Sequence, residues 1–199
     1  MSAPTAGAHA KLKRLVRYLV GVEEVNWYFR KSILEVDELA VSVDSDWAGC
    51  QKTRRSTSGG CVMLGNHLLR SWSTTQATIA MSSAEAEYYA LIEGAARALG
   101  LQSMLKELGP DVRFVLATDS SLAKSYASQR GIGRMRHIEV KDLWLQEALC
   151  RGRLQIVKVD GKANPAEIFT KFLNVKELVA GCERMCVELR LREGQKQAA

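Results

Sequence analysis

The most constraining feature of this chain is a helical pattern from Ser82 to Leu108, closed by Gly109-Pro110 and followed by the apolar stretch RFVLAT at 113–118. Ser82 with Glu85 three residues on reads as a capping box, and Leu91, Gly94, Ala95, Ala98 and Leu99 supply a buried stripe. A strand reached through so long a helix is expected to lie parallel to an earlier one, because parallel strands need a long crossover. The preceding segments supply the partners. Residues 25–32 and 39–46 read as strands, and SGGCVMLGNHLLRSWST reads as two more joined at Gly65-Asn66, so three sequential antiparallel strands are expected.

Elsewhere the apolar spacing predicts helices over 9–20, 119–129 and 139–150, a strand over 154–159, and a helix over 163–173 entered through Asn164-Pro165. Residues 174–199 read as one amphipathic helix and a polar tail that frays. The fold class this order predicts is α/β: a five-stranded mixed sheet, three antiparallel strands then parallel ones, flanked by helices. Residues 1–38 form an N-terminal helix and connecting segment, 39–173 the main domain, and 174–199 the C-terminal helix and tail.

At 199 residues and 47% hydrophobic the chain can bury a full core, and its net charge of +6 suits a polyanionic partner. No apolar run is long enough to span a membrane, and the N-terminus lacks the apolar region of a secretory signal, so neither a membrane-spanning nor a secreted protein is expected. The five cysteines, Cys50, Cys61, Cys150, Cys182 and Cys186, contain no C-x-x-C pair; a reducing intracellular setting follows. Cys182 and Cys186, one helical turn apart, read as small apolar residues rather than metal ligands. Lys11, Lys13 and Arg14 read as a solvated helix face.

Four acids sit where elements begin or end: Asp44, Glu87, Asp119 and Glu167. Carboxylates placed this way can converge above a sheet, and like charges a few ångströms apart stay ionised only with cations between them. Oxygen ligands select Mg2+ or Mn2+. Two such ions about 3.5–4 Å apart are suited to phosphodiester hydrolysis. Asp44 and Asp46 share a strand face and both are candidates, whereas Glu85 and Glu87 point apart on a helix. Glu85 is absorbed by the capping box, which leaves Glu87 on the buried stripe as the ligand.

In this order, VDSDWAGC, RRSTSGGCVMLG, SWSTTQATIAMSSAEAEYYAL, ATDSSLAKSYA, RMRHIEVKDLWLQEAL and NPAEIFTKFL resemble the ribonuclease H domain of copia-type retrotransposon Pol polyproteins across residues 40–173. The helix AKLKRLVRYLVG resembles the segment that joins reverse transcriptase to that nuclease. The resemblance implies a metal-dependent endonuclease cutting the RNA strand of an RNA·DNA hybrid, with two Mg2+ or Mn2+ ions as cofactors. Its implied partners are the hybrid and the reverse transcriptase and integrase of the same polyprotein, in a cytoplasmic particle or the nucleus.

The family's ligand order Asp, Glu, Asp, Asp falls on Asp44, Glu87, Asp119 and Glu167, the last with Glu in place of the usual Asp. Asp46 and His137 are auxiliary candidates, and Arg54, Arg55, Ser56, Thr57, Gln76 and Ser83 are candidates for substrate binding. Trp47, Trp72 and Trp144 could stack on sugar or base, but at least two are expected in the core. Two further departures are Gly60, where the family has an aromatic residue, and Asp142-Leu143-Trp144, where it has Tyr-His-Phe.

The alternative is a degenerate or domesticated domain that binds nucleic acid or supports a polymerase without cleavage. An integrase or transposase core would carry its Glu late, unlike Glu87, and no Tyr-x-Asp-Asp stretch of a polymerase occurs.

Overall fold

The computed structural model describes residues 5–29, 37–133 and 138–192. The elements in chain order are α1 (Ala6–Gly21), β1 (Val22–Trp27), β2 (Glu38–Asp46), β3 (Thr57–Leu64), β4 (His67–Thr75), α2 (Ser83–Leu108), β5 (Arg113–Thr118), α3 (Ser121–Ala127), α4 (Trp144–Cys150), β6 (Gln155–Lys158), α5 (Val175–Glu183) and β7 (Val187–Leu191). Five strands form one sheet in the order β4-β3-β2-β5-β6, antiparallel from β4 to β2 and parallel from β2 to β6. This is the five-stranded mixed α/β sheet that the element order predicts, and the ribonuclease H-like fold that the resemblance implies.

Central strand β2 explains how the two faces are used. Its residues 41–44 are buried without alternation, as befits a strand covered on both sides. On one face Leu39, Val41 and Val43 meet Leu91, Ala95 and Ala98 of α2 and Leu116 of β5 in the main core. On the other, Cys61, Met63 and Leu68 pack with Cys182, Met185, Val187 and Leu189. Each fully buried Leu or Val contributes about 1.5–3 kcal/mol. α2 comes close to β2 because residue 94 is glycine: a Cβ there would stand 2.5 Å from Val43 Cγ1.

Three readings change at the C-terminal end and one at α2. The helix expected over 163–173 is two short 3-10 turns, Gly161–Ala163 and Pro165–Phe169, because tertiary contacts outweigh the helical spacing. The Asn164 amide donates to Val43 O at 2.8 Å, Ser73 Oγ donates to Phe169 O at 2.6 Å, and the segment rides over Gly59. Residues 174–192 are not a helix and tail: α5 is followed by β7, whose alternating VELRL pairs antiparallel with β1. The 3-10 turn Val140–Leu143 replaces the start of the helix expected over 139–150. At α2, Ser82 Oγ accepts Glu85 N at 3.2 Å, but the Glu85 carboxylate reaches past Ser82 and accepts Met81 N at 2.9 Å.

Only one of the three tryptophans is fully in the core. Trp72 is buried, Trp144 is half-buried against the core, and Trp47 is 53% exposed with its Nε1 donating to Ala80 O. Trp72 also accounts for Gly60, since a Cβ at 60 would stand 2.2 Å from its ring. An aromatic side chain has no room there.

Candidate metal centre

The site lies where the chain reverses direction across the sheet, between β2 and β5, at the carboxyl ends of these parallel strands. In open α/β sheets this is where ligands bind. The last paired positions are Ser42 and Ala117, and two residues beyond them the strands carry Asp44 and Asp119. Asp44, still paired with Gly59 of β3, and Asp119, just past the end of β5, therefore stand side by side. Glu87 enters from the second turn of α2, held by Ser45, whose N–H and hydroxyl both donate to Glu87 Oε1, at 3.0 and 2.9 Å.

One carboxylate oxygen each from Asp44, Glu87 and Asp119 lies within 4.8 Å of the others. Asp44 and Glu87 are buried, and Asp119 is half-exposed. Burial, then the charge of Asp44, pushes Glu87 up to about 8, against the hydrogen bonds from Ser45. Burial raises Asp44 as well, with the Thr170 hydroxyl and the Lys171 charge opposing. Thr170 Oγ1 donates to Asp44 Oδ2, while Glu87 Oε2 is buried without a hydrogen-bond partner. An all-carboxylate set with an unused buried oxygen fits a hard divalent cation. Gly161 leaves the far side open, as a Cβ there would stand 3.0 Å from Asp119 Oδ2.

The other candidates are placed differently. Glu167 lies outside this trio, its carboxylate 2.7 Å from Lys171 Nζ, although its charge reaches Asp44. Asp46 turns away to close the following loop, accepting Thr57 N and filling the space beside Gly49. Ser56 is buried and structural: its Oγ accepts Ala48 N at 3.0 Å and its carbonyl accepts Gln76 N at 2.8 Å. Gln76 is buried too, its amide donating to Ser58 Oγ and Ala86 O. Arg54 and Arg55 are exposed on the loop after β2, Thr57 begins β3 half-buried, and Ser83 is exposed at the start of α2. His137 lies outside the described residues.

Sequence reasoning missed Ser45, Asn164, Thr170 and Lys171. The last three fall inside NPAEIFTKFL, so the signal was present. The assumed helix hid the side chains that such a segment sends back to the sheet.

The mixed sheet and the three carboxylates at its reversal point define a ribonuclease H-like domain with a candidate metal centre. No family model matches the chain. It is 30% identical over 182 residues, 87% of its length, to the retrovirus-related Pol polyprotein from transposon RE1 of Arabidopsis thaliana, of which it covers 12%. The corresponding polyprotein from transposon TNT 1-94 of Nicotiana tabacum is 30% identical over 130 residues, covering 64% of the chain and 10% of that protein. An uncharacterized mitochondrial protein of Arabidopsis thaliana is 45% identical over 93 residues, covering 46% of the chain and 37% of that protein. Among solved structures, the N-terminal RNase H domain of a Mycobacterium tuberculosis protein, fused to maltose-binding protein, aligns with TM-score 0.45 and 18% identity over 74% of this chain and 97% of that one. An RNase H1 isolated from compost aligns with TM-score 0.46 and 16% identity over 67% and 92%.

The homologues of this chain are thus retrovirus-related Pol polyproteins from transposons, the copia type its sequence resembles. It spans 10–12% of their length. No described helix is long and apolar enough to cross a membrane.

Proposed function

We propose that this chain is a divalent-metal-dependent endonuclease that hydrolyses the RNA strand of RNA·DNA hybrids during retrotransposon reverse transcription, beside the reverse transcriptase and integrase of one polyprotein. The observation that carries the reading is the gathering of Asp44, Glu87 and Asp119 within 4.8 Å at the sheet's reversal point. These three would hold Mg2+ or Mn2+, with Glu167, whose charge acts on Asp44, as the fourth candidate ligand. Bound there, the ions would supply Lewis-acid stabilisation of the charge that develops on the scissile phosphate.

The remaining work falls to the chain. Ser45 aims Glu87, Thr170 aims Asp44, and the register of β2 and β5 sets Asp44 beside Asp119. Holding these groups in place before substrate arrives removes reorganisation from the reaction. Arg54 and Arg55 would meet backbone phosphates, which position a duplex without reading its sequence. Gln76 supports this surface from beneath rather than touching substrate directly.

The test is cleavage of a 5′-labelled RNA annealed to DNA, beside the same RNA in an RNA·RNA duplex and the matching DNA·DNA duplex. The reading predicts RNA cleavage in the hybrid alone, dependent on Mg2+ or Mn2+. Indifference to duplex type, or no cleavage with either ion, would count against it.

A further inference from the structure

The carboxylate group already has a cation of its own. Lys171 Nζ lies 2.7 Å from Glu167 Oε1, and its charge acts on Asp44 and Asp119 as well. Its backbone is fixed from both sides. Before it, Ser73 holds Phe169 O and Thr170 donates to Asp44; after it, Arg14 of α1 lies over the Phe172 ring and donates to Leu173 O at 3.0 Å. The pinned backbone roots the half-exposed Lys171 side chain beside the acids, and the ion pair with Glu167 engages its tip.

We propose that the Lys171 ammonium is a built-in counter-cation of this centre, a positioning residue that keeps the acids gathered in the metal-free chain and tempers their affinity for divalent ions. The inference rests on the nuclease reading only for the identity of the ions. Its physics is general: clustered carboxylates repel unless a positive charge is near, and that same charge repels an incoming cation. Burial disfavours the ammonium, yet the hydrogen bond it donates to Glu167 and the charges of Asp44, Glu167 and Asp119 outweigh it and hold its pKa above the ordinary lysine value. The positive charge is therefore permanent under working conditions.

The experiment uses the full chain as wild type, Lys171→Gln and Lys171→Arg, titrated calorimetrically with MgCl2 and melted in EDTA and in Mg2+. Lys171→Gln should bind Mg2+ about tenfold more tightly, as expected for losing one unit charge several ångströms from a divalent ion in a well-screened site. It should also melt lower than wild type in EDTA and recover in Mg2+, while Lys171→Arg follows wild type. An unchanged Mg2+ affinity in Lys171→Gln overturns the proposal, as does a Gln variant that stays unfolded in saturating Mg2+, because the assigned role is one a divalent ion can replace. A wild-type chain that takes up no Mg2+ would instead sink the nuclease reading. In that case the EDTA melting of Lys171→Gln alone decides whether Lys171 gathers the acids.

Discussion

Replacing Glu87 by Gln should make the metal-free protein more stable. Glu87 is held by Ser45 through one oxygen, which a glutamine carbonyl can occupy with the same two hydrogen bonds. The cost removed is that of the buried, Asp44-facing carboxyl, whose pKa rises from 4.5 to about 8 in the folded chain. A carboxyl raised on folding contributes stability that is complete below pH 4.5 and lost as pH rises through about 8. Wild type in EDTA should therefore weaken across that window, while the amide does not titrate. At about 1.4 kcal/mol per pH unit, the difference at pH 7 reaches roughly 3 kcal/mol at most. For a chain of this size it would raise Tm by roughly 6–12 °C. Melting curves of both chains in EDTA between pH 4.5 and 8.5 are the assay. The two should converge at the acid end and separate with rising pH, and added Mg2+ should favour wild type. A Glu87→Gln chain that melts below wild type at pH 8 in EDTA, or by an offset independent of pH, would mean that the buried Glu87 carboxylate carries no such cost.

Asn164→Ala should cost about 2 kcal/mol, since it orphans Val43 O and Ala166 N in a 1% exposed position; a Tm lower by roughly 4–8 °C, read in a melting curve, is the check. Arg54→Ala with Arg55→Ala should raise KM for a hybrid while leaving kcat unchanged, and should flatten the slope of log affinity against log salt by about two, which binding titrations over a salt series would read.

The sheet is legible in the sequence because its strands are short, apolar and punctuated by Gly and Pro, and because a long helix before RFVLAT leaves few topologies open. Asp44 and Asp119 can be placed at strand ends for the same reason, and Glu87 by helical period. What is not legible depends on contacts distant in sequence. The segment after Asn164 has helical spacing, but its amides and hydroxyls find partners on β2 and β4, so it lies as short turns that send Thr170 back to Asp44. Alternation places Asp46 on the face of Asp44, yet the tight turn beyond β2 takes its carboxylate for Thr57 N. Residues 187–191 are too few to stand out as a strand until β1 is seen to pair with them. Ser56 and Gln76 look like surface polar residues in isolation, and only the packing of β3 against the start of α2 shows them buried.

In the proposed nuclease, Asp44, Glu87 and Asp119 together would hold the divalent ions on which RNA hydrolysis depends. The most direct measurement is single-turnover hydrolysis of a labelled RNA·DNA hybrid by wild type and Asp119→Asn in Mg2+, with the same reactions in EDTA. Wild type should give 5′-phosphate products, Asp119→Asn should be slower by about a hundredfold or more, and no product should form in EDTA. Equal rates in the two chains, or cleavage that survives the chelator, would contradict that role for the three acids.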